Sequence, residues 1–415
     1  MTAHFDALET RDPAEREAAQ FAALAAQLVE ARSAAPALDA QLGGIDAATV
    51  TDRAALAAVP LMRKADLVER QQAAPPFGGL ATLPAERFDH VFQSPGPIYE
   101  PGMVSVPDWW RTARALHAGG IGPDDRVLNC FSYHLVPAGI MLESGARALG
   151  SVVMPGGVGQ SDAQVAAAAH MGATAYVGTP DFLKTLLDKA AETGATLAFT
   201  KAWVSGGALF PSLRAAYAEA GIACVQGYAT ADLGSVAYET VHRGAPLPGM
   251  IVDEGVILEI VRPGTGDPVP AGEVGEIVVT LLNPDYPLLR FATGDMSAVL
   301  EGPSPCGRTG LRIKGWMGRA DQTTKVRGMF VRPEQIAALL ARHPQAGKAR
   351  ATVGRAEQQD TLALAVEATS RDAALAAALA ETARDLLKVR ATVELVAPGS
   401  LPNDGKVIDD VRTYD

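Results

Sequence analysis

The apolar positions near the start of the chain recur at helical spacing. In DPAEREAAQFAALAAQLVEAR, Phe21, Leu24 and Leu28 fall on one face. The beginning of the helix is marked locally: Asp12 can cap, Pro13 takes the first helical position, and Glu15 stands three residues past the cap. The stripe predicts a helix packed on a main body. From Asp125 the pattern changes. Short apolar runs, RVLNCF, SVVMPGG, TAYVGTP, AWVSGG and ACVQGY, alternate with helix-forming segments such as DAQVAAAAHMG and PDFLKTLLDKAAETG, which end at glycine. This alternation predicts an α/β fold with a parallel sheet covered by helices on both faces. After Met250 the period drops to two, in GVILEIVRP and GEVGEIVVTLL on either side of the turn GTGDPVPAG, which predicts a small antiparallel, barrel-like β subdomain over about 250–315. A different module follows Gly315: helix over 333–342, strands over 349–353 and 362–366, helix over 373–388, strand over 392–396, and a closing loop, PGSLPNDGK. The expected organisation is a large N-terminal domain over 1–317 and a small, mobile α+β domain over 318–415, joined by a hinge near Lys314 to Gln322.

A length of 415 residues fits two such domains, and 48% hydrophobic with 20% charged residues is ordinary for a globular enzyme. The formal charge of -11 argues against a nucleic-acid face, although a local patch can still hold an anionic ligand. Three scattered cysteines, Cys130, Cys224 and Cys306, are too few for a disulfide framework and point to a reducing compartment. MTAHFDALETRDP has no basic region followed by an apolar core, and no apolar run is long enough to cross a bilayer, so neither a secretory signal nor a membrane partner is expected and the cytoplasm is the default.

Four short stretches stand in order across the expected domain boundary: GYATAD (227–232), RFATGD (290–295), GRADQTTKVRG (318–328) and LPNDGK (401–406). Each alone has a bland reading. TGD is also a strand-end turn, a polar linker is also only a linker, and a lysine in a loop is usually just solvated. In this order, together with LETRDP, PLMRKADLVE, PPFGGL and CGRTGLRIKGWMGRADQ, they resemble the adenylate-forming superfamily, specifically its phenylacetate-CoA ligase branch, over nearly the whole chain.

The resemblance implies an ATP-dependent carboxylic acid–CoA ligase. Carboxylate and Mg-ATP give an acyl-adenylate and pyrophosphate; the CoA thiol then attacks to give thioester and AMP. It implies that Asp295 accepts hydrogen bonds from the ribose hydroxyls, that Tyr228 flanks the adenine, and that Gly206, Gly207 and Ala208 form an adenine-contacting turn. Asp232 stands where an acidic residue helps hold Mg²⁺, and Ala231 replaces a hydroxyl common in the superfamily. Arg319 matches an arginine that reaches the nucleotide, Asp321 the hinge position, Gly328 a glycine of the pantetheine tunnel, and Lys406 the lysine placed on the carboxylate and α-phosphate during adenylation. Turning about Asp321 would withdraw Lys406 between the two steps. Tyr133 and His134 lie where the family lines its carboxylate pocket, which suggests an aryl or arylacetyl acid such as phenylacetate.

Two departures stand out. Relatives carry a glycine-rich phosphate loop where this chain has FQSPGPIYEPG; Ser94 and Gly96 can still present a hydroxyl and an amide, but Pro95, Pro97 and Pro101 have no N–H to donate. Both a rigid wall over the triphosphate and a merely structural turn stay open. Some relatives also hold a zinc ion through segments matching YETVHRG and PSPCGRT, where only His242 and Cys306 remain, so no structural zinc is expected. The acid's identity, a homodimer, a carrier protein in place of CoA, a non-catalytic nucleotide-binding homologue and a kinase-like ligase releasing ADP all stay open.

Overall fold

A computed structural model of the chain describes residues 4–207, 209–320, 322, 324–327, 329–356, 359–402 and 406–412. The chain divides into two compact units. The first comprises 1–258, 279–291 and 300–315; the second comprises 259–278, 292–299 and 316–415.

The first unit is built on an eight-stranded sheet in the order Arg312–Ile313, Met250–Val252, Gly234–Tyr238, Ala223–Thr230, Lys201–Val204, Ala175–Gly178, Arg126–Asn129 and Val152–Pro155. The five apolar runs expected as strands are the last five, and they pair in parallel. Successive side chains of a strand point to opposite faces, so adjacent residues divide between two cores. Val127, Ala175, Val177, Trp203 and Val225 pack with Leu116 and Met141 from helices Thr112–Ala118 and Ala138–Ala148. Leu128, Tyr176, Ala202, Val204 and Cys224 pack on the other side with Val165, Leu186 and Tyr217 from helices Ser161–Met171, Pro180–Thr193 and Pro211–Glu219. Burial on both faces explains why these strands read as continuous apolar runs.

The first predicted helix spans Pro13–Ala31, and the Asp12 carboxylate accepts from the N–H groups of Ala14 and Glu15. Its stripe of Phe21, Leu24 and Leu28 is buried against Leu38, Leu42, Val50 and Leu56, with Ile257 and Leu289. Full burial of such side chains stabilises by about 1.5–3 kcal/mol each. The proline-rich stretch departs from the expected loop. His90–Ser94 and Ile98–Gly102 pair as an antiparallel hairpin, with Pro101 opposite Val91, so only Pro95, Gly96 and Pro97 form the turn. Pro97 lies in that turn and Pro101 needs no N–H for its pairing here, which is how a proline-rich segment still makes two strands.

In the second unit, Thr392–Val396, Gln359–Ala368, Ala346–Ala356 and Ile408–Asp410 form a sheet in that order, overlain by helices Pro333–Ala341 and Ala373–Leu387. Leu339, Leu364, Val366, Leu379 and Leu387 belong to its core. The predicted elements appear, with two additions: Thr324–Val326 and Met329–Val331 pair as an antiparallel hairpin, and Ile408–Asp410, which lies past the predicted closing loop, pairs in parallel with 351–353. The apolar strands Val256–Val261 and Gly275–Leu281 and the strand Phe291–Ser297, which carries TGD, are cut by the division between the units. Among the described residues, no helix is long and apolar enough to cross a membrane.

Candidate active site

In the second unit, the strand Phe291–Ser297 carries Asp295, and the segment 317–320 is laced against it. The N–H of Met296 donates to Gly318 O at 2.9 Å, that of Met317 to Met296 O at 2.8 Å, and that of Ala320 to Gly294 O at 2.7 Å. The pairing sets Arg319 beside the carboxylate: Arg319 Nη1 donates to Asp295 Oδ1 at 3.1 Å, and the Trp316 indole N–H donates to the same oxygen at 3.0 Å. Gly294 permits the approach. Its φ is +76°, and a Cβ there would meet Arg319 Nη2 at 2.8 Å. The glycine of TGD therefore has a steric reason independent of its turn.

Arg319 and Lys406 share a cleft of about 340 Å³, lined also by Met317, Gln322, Asp409 and Asp410. Lys406 Nζ lies 2.8 Å from Asp409 Oδ1. The side chains of Arg319 and Lys406 are both 51% exposed, so these ion pairs are weak and can exchange partners with an entering anion. Asp321 and Gly328 lie outside the described residues, as does Ala208.

In the first unit, GYATAD forms the end of the strand Ala223–Thr230 and the turn after it, at the carboxyl edge where ligands of open α/β sheets collect. The antiparallel register with Gly234–Tyr238 slips between Tyr228 and Ala229, a bulge of the kind that re-aims a side chain. Tyr228 itself is buried. Gly206 and Gly207 follow the neighbouring strand Lys201–Val204, with Gly206 at φ +73° and the Ser205 N–H donating to Gly178 O at 3.1 Å.

Asp232 has a fully buried side chain paired with Lys64, whose Nζ donates to Oδ2 at 2.6 Å. Among the described residues, Asp232 Oδ1 and Glu100 Oε2 are buried oxygens without a hydrogen-bond partner. Ser94 donates its hydroxyl to Glu100, so the serine expected to face phosphate is engaged within its own hairpin. Burial, and then the charge of Asp232, push the Glu100 carboxyl up to about 8. Gly96 sits in the hairpin turn. Lys64 and Glu100 are members of this buried charge cluster that motif reading missed. Lys64 lies within PLMRKADLVE, but nothing in the local sequence ties it to a carboxylate 168 positions away.

Tyr133 lines a separate cavity of about 720 Å³ with Ile140, Glu143, Arg147 and His90. Its hydroxyl donates to Glu143 Oε2 at 2.9 Å and accepts from Asn129 Nδ2 at 2.9 Å. His134, adjacent in sequence, is exposed and not among the lining residues. Cys306 lies among hydroxyl and guanidinium groups. Burial pushes its thiol up, but hydrogen bonds with Ser304, Arg308 and Thr240 outweigh that and hold it below its ordinary value.

The region 103–281 matches the model of the family described as AMP-binding enzyme. With the parallel sheet and the cation-lined cleft, this defines the class as adenylate-forming. The phenylacetate-coenzyme A ligase of Aromatoleum evansii is 30% identical over 327 residues, covering 75% of this chain and 72% of that one. That of Thermus thermophilus is 29% identical over 300 residues, covering 69% and 66%. This chain belongs to the phenylacetate-coenzyme A ligase branch of the adenylate-forming enzymes, and it spans about two thirds of the length of these curated relatives. Among solved structures, 2-hydroxyisobutyryl-CoA ligase in the postadenylation state, in complex with 2-HIB-AMP, matches with TM-score 0.73 and 26% identity over 99% of this chain and 92% of that one. The same enzyme with 2-HIB-AMP and CoA in the thioesterification state matches with TM-score 0.70 over 98% and 91%.

Proposed function

We propose that the protein joins a carboxylic acid to coenzyme A in two steps, with phenylacetate or a related aryl acid as substrate. A carboxylate oxygen attacks the α-phosphorus of ATP; the bond to the β-phosphate oxygen breaks, and pyrophosphate leaves. The sulfur of CoA then attacks the acyl carbon, its proton is lost, and AMP departs with the electron pair of the broken C–O bond. Both steps need positioning and charge neutralisation rather than a protein nucleophile. The buried thiols of Cys130 and Cys224, each pushed up to about 12 by burial, are accordingly given no role.

The observation that carries this reading is the cleft in which Arg319 and Lys406 line one wall system beside Asp295 and its two donors. Negative charge accumulates on the oxygens in flight during adenylation, and a cation delivered at that moment lowers the barrier. Asp295 offers carboxylate oxygens to the ribose, and Arg319 reaches the nucleotide from the adjoining segment. The polypeptide after Asp321 turns between the two steps, which withdraws Lys406. A domain boundary at 317/318 belongs to this proposal, as does the role of Gly328 in the pantetheine tunnel.

The donor chemistry of the first unit fits a hard cation. Asp232 Oδ1 is a buried carboxylate oxygen with no hydrogen-bond partner among the described residues, as a Mg²⁺ ligand requires. Asp232 would hold the ion, which would neutralise phosphate charge. Lys64, on the other carboxylate oxygen, balances the buried charge of Asp232. Tyr133 forms a wall of the acid pocket, its ring held by Glu143 and Asn129. A screen of aromatic and aliphatic carboxylates for pyrophosphate release, with CoA compared against a carrier protein as acceptor and AMP against ADP as product, tests the reading. Release with an aryl acid and formation of AMP and acyl-CoA are expected; ADP, or no carboxylate-dependent release, overturns it.

A further inference from the structure

Lys406 occupies the cleft with Arg319, and its backbone explains how it is kept there. The two amides that follow it, Val407 N–H and Ile408 N–H, both donate to Gln322 Oε1, at 2.5 and 2.6 Å. Two converging N–H groups require an acceptor, so the oxygen end of the carboxamide must face them. The amide end points back: Gln322 Nε2 donates to Arg319 O at 3.4 Å, and the backbone N–H of Gln322 donates to Ala320 O at 2.8 Å. Residues 318–320 are themselves laced to 294–296, the segment that carries Asp295. One side chain thus ties the start of the strand Ile408–Asp410, which Lys406 precedes by two residues, to the segment bearing Arg319.

The same stretch has further attachments: Thr324 Oγ1 donates to Asp410 Oδ2 at 2.5 Å. Ala351 N–H donates to Val407 O at 2.8 Å, and Arg350 Nε donates to Lys406 O at 3.2 Å. These hold the strand to the C-terminal sheet and move with it. Gln322 stands one residue past Asp321, so its bonds to Val407 and Ile408 lie on the turning side, and a turn about Asp321 breaks instead its bonds to Arg319 O and Ala320 O.

We propose that Gln322 is a positioning residue for Lys406: its carboxamide latches the 407–408 backbone to the segment bearing Arg319 so that the ammonium stands in the Arg319 cleft during adenylation, and its parting from Arg319 and Ala320 lets the lysine leave. This rests on the two-step reading above and adds to it the device that sets the lysine's position. Loss of the acceptor should lower the rate of acyl-adenylate formation and leave thioester formation from preformed acyl-adenylate alone, because only the first step uses Lys406.

The test compares Gln322→Met, which keeps length and removes the acceptor, with Gln322→Glu, which keeps an acceptor for both amides. Single-turnover acyl-adenylate formation in Gln322→Met should fall about tenfold at saturating ATP and acid, the loss expected for a bidentate backbone latch. Its thioester step should stay within about twofold, and Gln322→Glu should recover most of the loss. Amide hydrogen exchange at Val407 and Ile408 is a second readout, independent of any activity. It should speed up in Gln322→Met and return toward wild type in Gln322→Glu. Unchanged exchange in Gln322→Met overturns the latch whatever the kinetics. An equal fall in both half-reactions, with exchange raised throughout the C-terminal sheet, also overturns it by revealing a merely structural residue. If the wild-type protein makes no acyl-adenylate from any acid, the two-step reading fails, and exchange alone then decides the latch.

Discussion

Two carboxylates of similar expected importance sit in opposite environments. Asp232, in the first unit, has a side chain with no exposure and a lysine at 2.6 Å; Asp295, in the second, is 14% exposed and paired with an arginine that is itself 51% exposed. A buried ion pair cannot lose one member without stranding the other, whereas an exposed pair costs little to exchange. The first cluster is therefore suited to a permanent charge arrangement, and the second to a site that trades partners with a ligand in each cycle. Changes at Lys64 and Glu100 should be read in stability, changes at Asp232 also in Mg²⁺ dependence, and changes in the second cluster in rate or affinity.

The largest effect should come from Glu100→Gln. Glu100 titrates near 8 in the folded chain, above its ordinary carboxyl value, so between about 4.5 and 8 the folded state holds a proton that the unfolded chain has lost. Stability from this group is full at low pH and is lost as pH rises toward 8, by an amount on the order of a few kcal/mol. Thermal unfolding of Glu100→Gln across pH 5 to 8.5 should show a flatter profile than wild type and higher stability at the alkaline end; parallel profiles would remove Glu100 from the buried cluster. Lys64→Met should destabilise by about 3 kcal/mol, because Asp232 is left buried without its cation. The double variant with Asp232→Asn should recover much of that loss in denaturant unfolding.

In the second unit the signature should reverse. Lys406→Ala should slow acyl-adenylate formation by about 10²-fold or more, the scale of one lost transition-state charge donor, while thioester formation from preformed acyl-adenylate is nearly spared. Denaturant unfolding of this variant should match wild type; a stability loss comparable to that of Lys64→Met would erase the contrast between the clusters. Asp295→Ala should weaken ATP by about 1.5–3 kcal/mol for lost charge-assisted hydrogen bonds, measured by calorimetric titration. Unchanged affinity would detach Asp295 from the ribose.

Much of this architecture was legible before any coordinates. The five strands of the parallel sheet, the capped helix at Pro13 and the helices and inner strands of the C-terminal module follow from period, caps and glycine stops, all of which act over a few residues. The exceptions are instructive. The proline-rich hairpin hid because Pro95, Gly96 and Pro97 dominate the composition of a segment whose strands are set by pairing across the turn. Ile408–Asp410 hid because three residues carry no period of their own, and the strand exists only by pairing with 351–353.

The sequence by itself determined the family, the order of the elements and the identity of Asp295, Arg319 and Lys406 as candidates, because motif order and hydrophobic period are local in the chain. Only the tertiary structure decided which groups meet. Lys64 reaches Asp232 across 168 positions, Gln322 reaches Val407 across 85, and the Trp316 indole reaches Asp295 across 21. The physical reason is that burial and hydrogen-bond geometry depend on what the fold brings within about 3 Å, and no local pattern encodes a partner that distant in the chain.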